Sequence, residues 1–517
     1  AAIATIASKK LNKPVKLRVD RDDDMIMTGK RHDFYFKYTV GFSNKGKINA
    51  LKVIMASRCG ISADLSGAIN DRAIYHIDNA YFIPNIEIES YRCKTNTVSN
   101  TAFRGFGGPQ GMFCIENILE NISQKINEDP IKVRKLNFYK KNINNETHYG
   151  MKITDNVIND IFNQLIKKSE YHKRKKEIQK FNDKQKVLKK GISITPIKFG
   201  ISFTTTHLNQ AGALVHIYTD GSVHLNHGGI EMGQGLMTKL AQITSHELGL
   251  SYEFIKITST DTEKVPNTSA SAASATTDLN GGAIINAIYK LKSNLNNFIY
   301  DHYNVKSIIR YENDYVHFDK RKITFKELIS KAYLNRVSLS SSGFFKTSKI
   351  DINTKTLKGR PFLYFTYGAA VSEVIVDTLT GENKLLQVDI IHDVGNSINK
   401  RIDKGQIEGG FIQGLGWLTT EEISWRKDGN ILTHSPSTYK IPTAGETPFK
   451  LNVEIYKSGF NKEEVVNRSK AVGEPPFMLA ISSFTAIKDA VFNANKKKGS
   501  ANLIAPATPE NILKSIY

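Results

Sequence analysis

The chain has 517 residues, 40% of them hydrophobic, and a formal net charge of +21, a size that allows about two to four domains. It contains no run of about 18 apolar residues, so we expect no membrane-spanning helix. The three cysteines lie far apart and form no CxxC pair, which argues against a disulfide scaffold, a structural zinc site or an iron–sulfur cluster within the chain and favours a reducing, cytoplasmic setting.

The excess of basic residues is concentrated in part in the Lys-rich stretch from Ile166 to Lys190. Such a charge can attract nucleic acid, anionic lipid or an acidic substrate. None of the sequence signatures of nucleic-acid-binding domains is present, and elsewhere the lysines are dispersed among asparagine and isoleucine, as a lysine-rich codon usage would also produce. We therefore do not expect nucleic-acid binding.

Helices and one hairpin are predicted in the first third of the chain. The first residues, which lack an initiator Met, read as a helix followed by a strand-like segment, and we expect a chain that is part of a longer protein. Phe34–Met55 is predicted to form two strands around an Asn-Lys-Gly turn. Met112–Gln124 has the spacing of an amphipathic helix, and Asp129-Pro130 is typical of a helix cap followed by proline at the first helical position.

The Lys-rich segment Asn159–Lys190 is predicted to be a solvated helix and linker between two lobes. The predicted division is therefore a first lobe at residues 1–165, the helix and linker at residues 166–190, and a second lobe at residues 191–517. Strands and helices are mixed without a regular βαβ rhythm, which predicts an α+β fold.

Two hairpins and three helices are predicted in the second lobe. The hairpins turn at Asp220-Gly221 and Thr380-Gly381, and one helix closes at Gly249. The predicted segments are the hairpins Ala213–Leu225 and Val371–Ile391, the helices Leu236–Leu248 and Phe477–Asn493, and a helix capped at Thr508-Pro509.

Three stretches rich in glycine stand out, at residues 105–111, 228–235 and 409–416, and a fourth, at residues 470–476, places one glycine directly before Glu474 and two prolines. Glycine is retained where backbone bends unusually or approaches something closely, so we interpret them as loops on which a ligand lies. The first is not a dinucleotide fingerprint, because Gln110 stands where a third glycine is needed, and no P-loop Gly-Lys-Ser/Thr follows it. The second precedes a predicted helix and directs N–H groups at an anion, commonly a phosphate. Each stretch alone is more often a simple turn.

Three histidines, His207, His224 and His227, lie close to the second glycine stretch. They lack the spacing of metal-ligand motifs. We expect exposed or hydrogen-bonded histidines rather than a metal site.

Six motifs and their order carry a resemblance that covers essentially the whole chain. In sequence order they read NTAFRGFGGPQG, GGIEMGQGLMTK, NTSASAASATTDLNG, IEGGFIQGLG, STYKIP and SKAVGEPPF, and a terminal PATPENI agrees as well. With these motifs the chain resembles the molybdenum hydroxylases, the family of xanthine dehydrogenase and aldehyde oxidase. The resemblance implies two-lobed molybdopterin-binding domains, with the first lobe incomplete, and a molybdenum ion held by a pterin dithiolene without a protein side-chain ligand.

The resemblance implies that Glu474 is the general base of the reaction. A base of this kind is partly buried and lies within hydrogen-bond reach of the proton it accepts. The alternative for a glutamate before a helix is a carboxylate that interacts favourably with the helix dipole.

The resemblance also implies four substrate-binding residues. Arg72 stabilises negative charge on a purine, and the alternative is a surface or salt-bridged arginine beside Asp71. Phe106 and Phe203 clamp a flat heterocycle face-on and edge-on, and Thr204 forms a hydrogen bond to it. Ordinary core phenylalanine and strand threonine are the alternatives for these three.

Cofactor contacts are implied for eleven residues, for which turn and core roles are the alternatives. The backbones of Arg104 and Ala273 are expected near the molybdenum. The full set is Arg104, Met232, Gly233, Gln234, Ala272, Ala273, Ser274, Thr276, Gln413, Val472 and Gly473.

The implied activity is hydroxylation of a purine, hypoxanthine to xanthine and xanthine to urate, with water as the oxygen source. Electrons would pass through two [2Fe-2S] clusters and FAD, which this segment does not bind, to NAD or oxygen. Implied partners are iron–sulfur and FAD domains or subunits and a second copy in a homodimer. A GGFGGKE loop of the family is absent and is expected before Ala1. An aldehyde oxidase or other N-heterocycle hydroxylase is the nearer alternative, and a non-catalytic binding protein is the more distant one.

Overall fold

Helices and mostly antiparallel strands alternate irregularly in the computed structural model, which describes residues 1–261, 263, 267–495, 499 and 501–517. The helices are α1 (Ala2–Leu11), α2 (Arg21–Met27), α3 (Ser66–His76), α4 (Gly108–Ile126), α5 (Pro130–Asn137), α6 (Ile158–Lys168), α7 (Tyr171–Lys184), α8 (Leu236–Leu248), α9 (Thr276–Tyr303), α10 (Phe325–Leu334), α11 (Lys400–Thr419), α12 (Ile481–Ala494) and α13 (Pro509–Ile516). The strands are β1 (Phe34–Phe42), β2 (Ile48–Gly60), β3 (Ile86–Lys94), β4 (Leu188–Ile201), β5 (Gln210–Ile217), β6 (Val223–His227), β7 (Ile255–Ile257), β8 (Arg310–Glu312), β9 (Tyr315–Phe318), β10 (Arg321–Thr324), β11 (Ser340–Lys346), β12 (Asp351–Asn353), β13 (Lys358–Arg360), β14 (Tyr364–Asp377), β15 (Asn383–His392) and β16 (Lys450–Ile455). This mixture confirms the predicted α+β class.

The sheet nearest the start of the chain has the strand order β1-β2-β3. Strands β1 and β2 form the predicted antiparallel hairpin, and β3 runs parallel to β2. Burial alternates along β2, as expected where one face of a sheet packs on a core. Helices α3 and α4 cover that face through Tyr75, Ile115 and Ile118, which belong to the same buried cluster as Val53 and Met55.

A central sheet has the order β16-β15-β14-β4. Strands β4 and β14 pair over fourteen residues each and are almost continuously buried. Helix α12 packs on one face of this sheet. The opposite face contributes Ile192, Ile194 and Phe365 to the core that also holds Val53 of the first sheet. The two sheets therefore share one hydrophobic core.

A third sheet has the order β11-β5-β6-β7 and is covered by α8 and α9. The hairpin β5–β6 turns at Gly221, as predicted, and α8 ends at Gly249, which has a φ of +65°. The hairpin β14–β15 and the caps at Asp129 and Thr508 are confirmed too. Two small sheets have the strand orders β10-β9-β8 and β12-β13.

The Lys-rich segment differs from the predicted solvated helix and linker. It forms α6 and α7, and Tyr171, Arg174 and Ile178 are buried on one side of α7. The Arg174 guanidinium donates to Glu373 at 2.9 Å and to Asp389 at 2.7 Å, both on the central sheet. The lysines of α7 lie mostly on its exposed side. The high density of charge in the sequence predicted a solvated segment and did not reveal that α7 is amphipathic.

Three further elements differ from their predictions. The prediction of a strand-like segment after α1 is wrong, since residues 12–20 form no strand. The predicted helix Phe477–Asn493 begins instead with the 3₁₀ helix Pro475–Ala480 and continues as α12. The third glycine stretch is not a loop, because residues 409–416 lie inside α11. None of the described helices combines the length and the apolar character needed to span a lipid bilayer.

Candidate active site

The segment that leads to Glu474 is held in place by contacts of the three residues Lys470, Ala471 and Val472. The Lys470 ammonium donates to Asp393 and Asp155, each at 2.8 Å. The Ala471 N–H donates to the Tyr364 hydroxyl at 3.2 Å, and Val472 is buried. These contacts hold the turn Ala471–Glu474 in one position before the 3₁₀ helix begins.

The Glu474 carboxylate is half-buried and accepts a hydrogen bond on each oxygen. The Gly105 N–H donates to Oε1 at 3.2 Å, and the Ser274 hydroxyl donates to Oε2 at 3.2 Å. The Glu474 N–H in turn donates to Ser274 Oγ at 2.7 Å. Three segments far apart in sequence therefore meet at this carboxylate.

Arg104 connects the first glycine stretch to Gly473 and α11. Its Nε donates to the Gly473 carbonyl at 2.5 Å, and its Nη1 donates to Gln413 Oε1 at 3.2 Å. Burial lowers the pKa of the Arg104 guanidinium, and the negative charge of Glu474 acts in the opposite direction. Arg104, Gln413, Gly473 and Glu474, all predicted site residues, are thus brought together.

The glycines of the first stretch serve packing as well as any ligand. Gly107 has a φ of +95°, and a Cβ there would lie 2.0 Å from the Ile69 carbonyl oxygen. A Cβ on Gly111 would lie 2.4 Å from the Ala73 carbonyl oxygen. The start of α4 therefore approaches α3 directly, and this contact explains two glycines that the sequence pattern assigned to ligand approach.

Arg72 lies on α3 and is only 2% exposed. Its Nη1 and Nη2 donate to the carbonyls of Ser202 at 2.9 Å and Gly200 at 2.6 Å. The guanidinium lies 4.7 Å from the ring centroid of Phe199 and 5.2 Å from that of Phe362. Burial lowers its pKa, and the charge of Glu474 opposes that shift. The neighbouring Asp71 pairs with Arg92 instead, so the surface alternative for Arg72 does not apply.

Phe203 and Thr204 follow the end of β4 and are half-buried. Phe203 is held by Asn209, which accepts from the Phe203 N–H and donates to its carbonyl, both at 2.9 Å. Phe106 is half-buried in the first glycine stretch, with a φ of +50°. Gly105 next to Phe106 contacts Glu474, while Ser202 next to Phe203 contacts Arg72.

The second glycine stretch turns its N–H groups onto its own carboxylate. Glu231 Oε1 accepts from the N–H groups of Gly233 and Gly235, at 2.8 and 3.0 Å, and Oε2 accepts from Met237 at 3.0 Å. Although partial burial raises the pKa of Glu231, these backbone donors lower it overall. The anion expected before α8 is therefore supplied, in this structure, by a residue within the predicted motif that sequence reasoning did not assign.

Met232 is 67% exposed, and no atom lies within 4 Å of where a Gly233 Cβ would be. Gln234 folds back within the turn, with its amide donating to the Ile230 carbonyl at 2.8 Å. The Ser271 hydroxyl accepts from the Ile230 N–H at 2.7 Å. The second glycine stretch and the following small-residue segment therefore lie side by side.

The segment before α9 combines small side chains with positive φ. Ala273 and Ser274 have φ values of +55° and +56°, and Ala273 is buried. Ala272 is exposed, and Thr276 is the first residue of α9. This conformation presents Ser274 Oγ to Glu474.

Two groups near the site, the buried Asp278 and the half-buried Arg31, were missed. Asp278 accepts from the Tyr364 hydroxyl at 2.7 Å, and burial raises the pKa of Asp278 to about 7, against the lowering effects of Tyr364 and Lys239. Arg31, in the segment between α2 and β1, donates from Nη2 to the Arg104 carbonyl at 2.8 Å. No signal in the local sequence distinguishes either residue from its neighbours.

Histidines near the second glycine stretch do not assemble a ligand set. His227 is buried, and its Nδ1 accepts from the Gly229 N–H at 3.1 Å, while His207 is exposed. Among the described residues, no group of three or more His, Cys, Asp or Glu side chains is arranged to hold a metal ion.

Comparison with models of protein families identifies the family to which these domains belong. Residues 164–448, more than half of the chain, match the model of a molybdopterin cofactor-binding domain, and residues 1–138 match a second model of the same description. The chain belongs to the molybdenum hydroxylase family. Its residues form molybdopterin-binding domains of that family, and the expected cofactor is confirmed at this level.

Curated relatives agree over the whole chain. Xanthine dehydrogenase/oxidase of Gallus gallus is 44% identical over 513 residues, covering 99% of this chain and 36% of the relative. Xanthine dehydrogenase 2 of Arabidopsis thaliana is 42% identical over 527 residues, an alignment that covers 100% of this chain and 37% of the relative. The chain thus spans little more than a third of the length of these relatives.

Solved structures of the molybdenum hydroxylase fold superpose on nearly the whole chain. Quinoline 2-oxidoreductase from Pseudomonas putida 86 has a TM-score of 0.87 at 19% identity, covering 99% of this chain and 66% of that one. Aldehyde oxidoreductase from Desulfovibrio gigas has a TM-score of 0.84 at 23% identity, covering 100% and 52%. At these identities the likeness establishes the fold alone.

Proposed function

We propose that this chain forms the molybdopterin and substrate site of an enzyme that hydroxylates a purine, with water as the source of oxygen. The observation that carries the proposal is the setting of Glu474. Its carboxylate is held by Gly105 and Ser274, and its negative charge acts on the buried guanidinium groups of Arg72 and Arg104. A carboxylate fixed by hydrogen bonds and influenced by positive charge suits proton abstraction next to developing negative charge.

The residues present fit a flat, anionic cofactor. Ala272, Ala273 and Ser274 carry small side chains beside Glu474, and the space around Gly233 is open. The turn at Gly233 and Gly235 already binds a carboxylate through N–H groups, which is the donor chemistry a phosphate requires. We propose that the molybdopterin is held by Arg104, Met232, Gly233, Gln234, Ala272, Ala273, Ser274, Thr276, Gln413, Val472 and Gly473. When bound, its molybdenum supplies the two-electron redox change.

The chain's own residues would bind and orient the substrate and move one proton. Glu474 accepts the proton at a carboxylate oxygen. Arg72 stabilises negative charge on the purine through its positive charge, since two of its five N–H donors are already bonded to the carbonyls of Ser202 and Gly200. Phe106 and Phe203 clamp the ring, and Thr204 supplies a hydroxyl for a hydrogen bond.

The remaining parts of the activity are proposals about the whole protein. We propose that electrons leave through iron–sulfur clusters and FAD, borne on other domains or subunits, to NAD or oxygen. We further propose a cytoplasmic homodimer that does not bind nucleic acid. The names of the relatives, xanthine dehydrogenase/oxidase and xanthine dehydrogenase 2, support the redox class and the purine substrate of the proposed activity.

The test replaces Glu474 with Ala in the full-length protein and measures hypoxanthine turnover together with molybdenum content. A general base contributes about 10²–10⁴-fold to the rate, so we expect a loss of that size with molybdenum retained. Glu177→Ala, an exposed position on α7, is the control and should leave both unchanged. Near-normal turnover of the Glu474 variant would remove it from the mechanism.

A further inference from the structure

Arg31 lies inside a box of three aromatic rings close to the Glu474 turn. Its guanidinium carbon is 4.3 Å from the ring centroid of Phe477, 4.5 Å from that of Phe103 and 5.5 Å from that of Trp417. A cation over several ring faces is attracted to each of them, and the planar guanidinium stacks where an ammonium cannot. The three rings therefore stabilise the guanidinium in this position.

The hydrogen bonds of Arg31 lead to the turn that carries Glu474. Arg31 Nη2 donates to the Arg104 carbonyl at 2.8 Å. Arg104 Nε then donates to the carbonyl of Gly473 at 2.5 Å, and the Gly105 N–H, next in the chain, donates to Glu474. Arg31 thus fixes the peptide unit that joins Arg104 to Gly105, and these two residues hold Gly473 and Glu474 respectively.

One of the groups whose charge acts on Arg31 belongs to the STYKIP motif, to which no role has been assigned above. The charged and titratable groups facing it are Glu421, Tyr439, Glu474 and the like-charged Arg104. Tyr439, the tyrosine of STYKIP, donates its hydroxyl to Glu421 at 2.7 Å. This hydrogen bond connects the STYKIP motif to Glu421, whose negative charge acts on the Arg31 guanidinium.

We infer that Arg31 is a positioning residue for Glu474, acting through the carbonyl of Arg104. The inference rests on the proposed function, in which Glu474 is the base. Arg31 acts on Glu474 through the Arg104–Gly105 peptide, so its effect is on geometry. Removing it frees that peptide, and a base displaced by about 1 Å can lose up to about 10²-fold in rate.

The experiment uses the full-length enzyme with Arg31→Met and Arg31→Lys. Methionine retains the apolar packing and removes the donors, whereas lysine retains the charge without the planar fork. We expect the kcat for hypoxanthine to fall at least about tenfold in both, the KM to change less than about twofold, and molybdenum and pterin contents to match the wild type. In an Arg31→Ala variant, added guanidinium ion should restore part of the lost kcat.

Arg58→Met is the matched control, since Arg58 also lies over a tryptophan, 5.6 Å from the Trp425 centroid, but pairs with Asp33 rather than Arg104. It should leave kcat unchanged.

A wild-type kcat in Arg31→Lys overturns the inference, and so does a loss of kcat that missing molybdenum or pterin explains entirely. If Arg31→Met does not fold, the kcat of Arg31→Lys decides the question. If Glu474→Ala retains turnover, the proposed function itself fails; if Glu474→Ala is inactive while Arg31→Lys is normal, only this inference fails.

Discussion

A guanidinium offers five N–H donors, and Arg72 commits two of its nitrogens to the carbonyls of Gly200 and Ser202. Arg72→Met would leave both carbonyls unpaired in the interior, at about 1–3 kcal/mol each, and would remove the charge that suits a purine. We expect lower stability in urea unfolding and a far larger loss of kcat/KM with hypoxanthine than with benzaldehyde.

Arg92→Met is the control for that variant, because Arg92 forms a partly exposed pair with Asp71 worth at most about 1 kcal/mol. It should change neither substrate preference nor stability appreciably. Equal losses on the two substrates in Arg72→Met would contradict a role in charge stabilisation.

Asp278 makes the stability of the protein depend on pH in a defined direction. Burial raises the pKa of its carboxyl to about 7 from the ordinary value of 3.8. Between these values the folded state keeps a proton that the unfolded state has released, so the free energy of unfolding falls as the pH rises through this range. Asp278→Asn carries no such proton and should gain stability relative to the wild type as the pH rises through that window. Urea titrations at its two ends measure this, and a difference independent of pH would disprove it.

At the scale of elements, α11 shows why glycine patterns are ambiguous. A Cβ on Gly414 would lie 2.1 Å from the Phe477 carbonyl oxygen, whereas the space around a Gly409 Cβ is open. Both glycines are helical, so Gly409→Ala should stabilise the protein by about 0.5–1 kcal/mol. Gly414→Ala should destabilise it by about 1–3 kcal/mol, because the helix must move away from the 3₁₀ helix before α12. Chemical denaturation of the pair tests this, and similar effects from both would show that the close approach does not constrain α11.

Elements whose signals are local were predictable from the sequence. The turn at Asp220-Gly221 and the caps at Asp129 and Thr508 depend on residues adjacent in the chain, and all formed as expected. The helix through the third glycine stretch was not predictable from local sequence. Gly414 is required there because the backbone of Phe477, which is distant in the chain, packs against it. The buried face of α7 was hidden for a similar reason, since the partners of Arg174 lie 199 and 215 residues away, at Glu373 and Asp389.

On the scale of the whole molecule, the site draws on parts of the chain on both sides of the Lys-rich segment. The motif resemblance selected Arg104, Ser274, Gln413, Gly473 and Glu474, which the structure brings together. Composition and periodicity could not have done so, because hydrogen bonds over such separations leave no periodic trace. The resemblance did not indicate Arg31, Glu231 or Asp278. The division at residues 1–165, 166–190 and 191–517 remains a prediction, although the first two sheets share a core.

The hydrogen bond between Gly105 and Glu474 joins residues 369 positions apart, and that between Ser274 and Glu474 spans 200. During synthesis, therefore, the ribosome must add most of this chain after the first glycine stretch before the carboxylate can meet its partners. A polypeptide that stops before residue 474 carries the first and second glycine stretches without this carboxylate, so the hydrogen bonds around the proposed base can form only after Glu474 has been added.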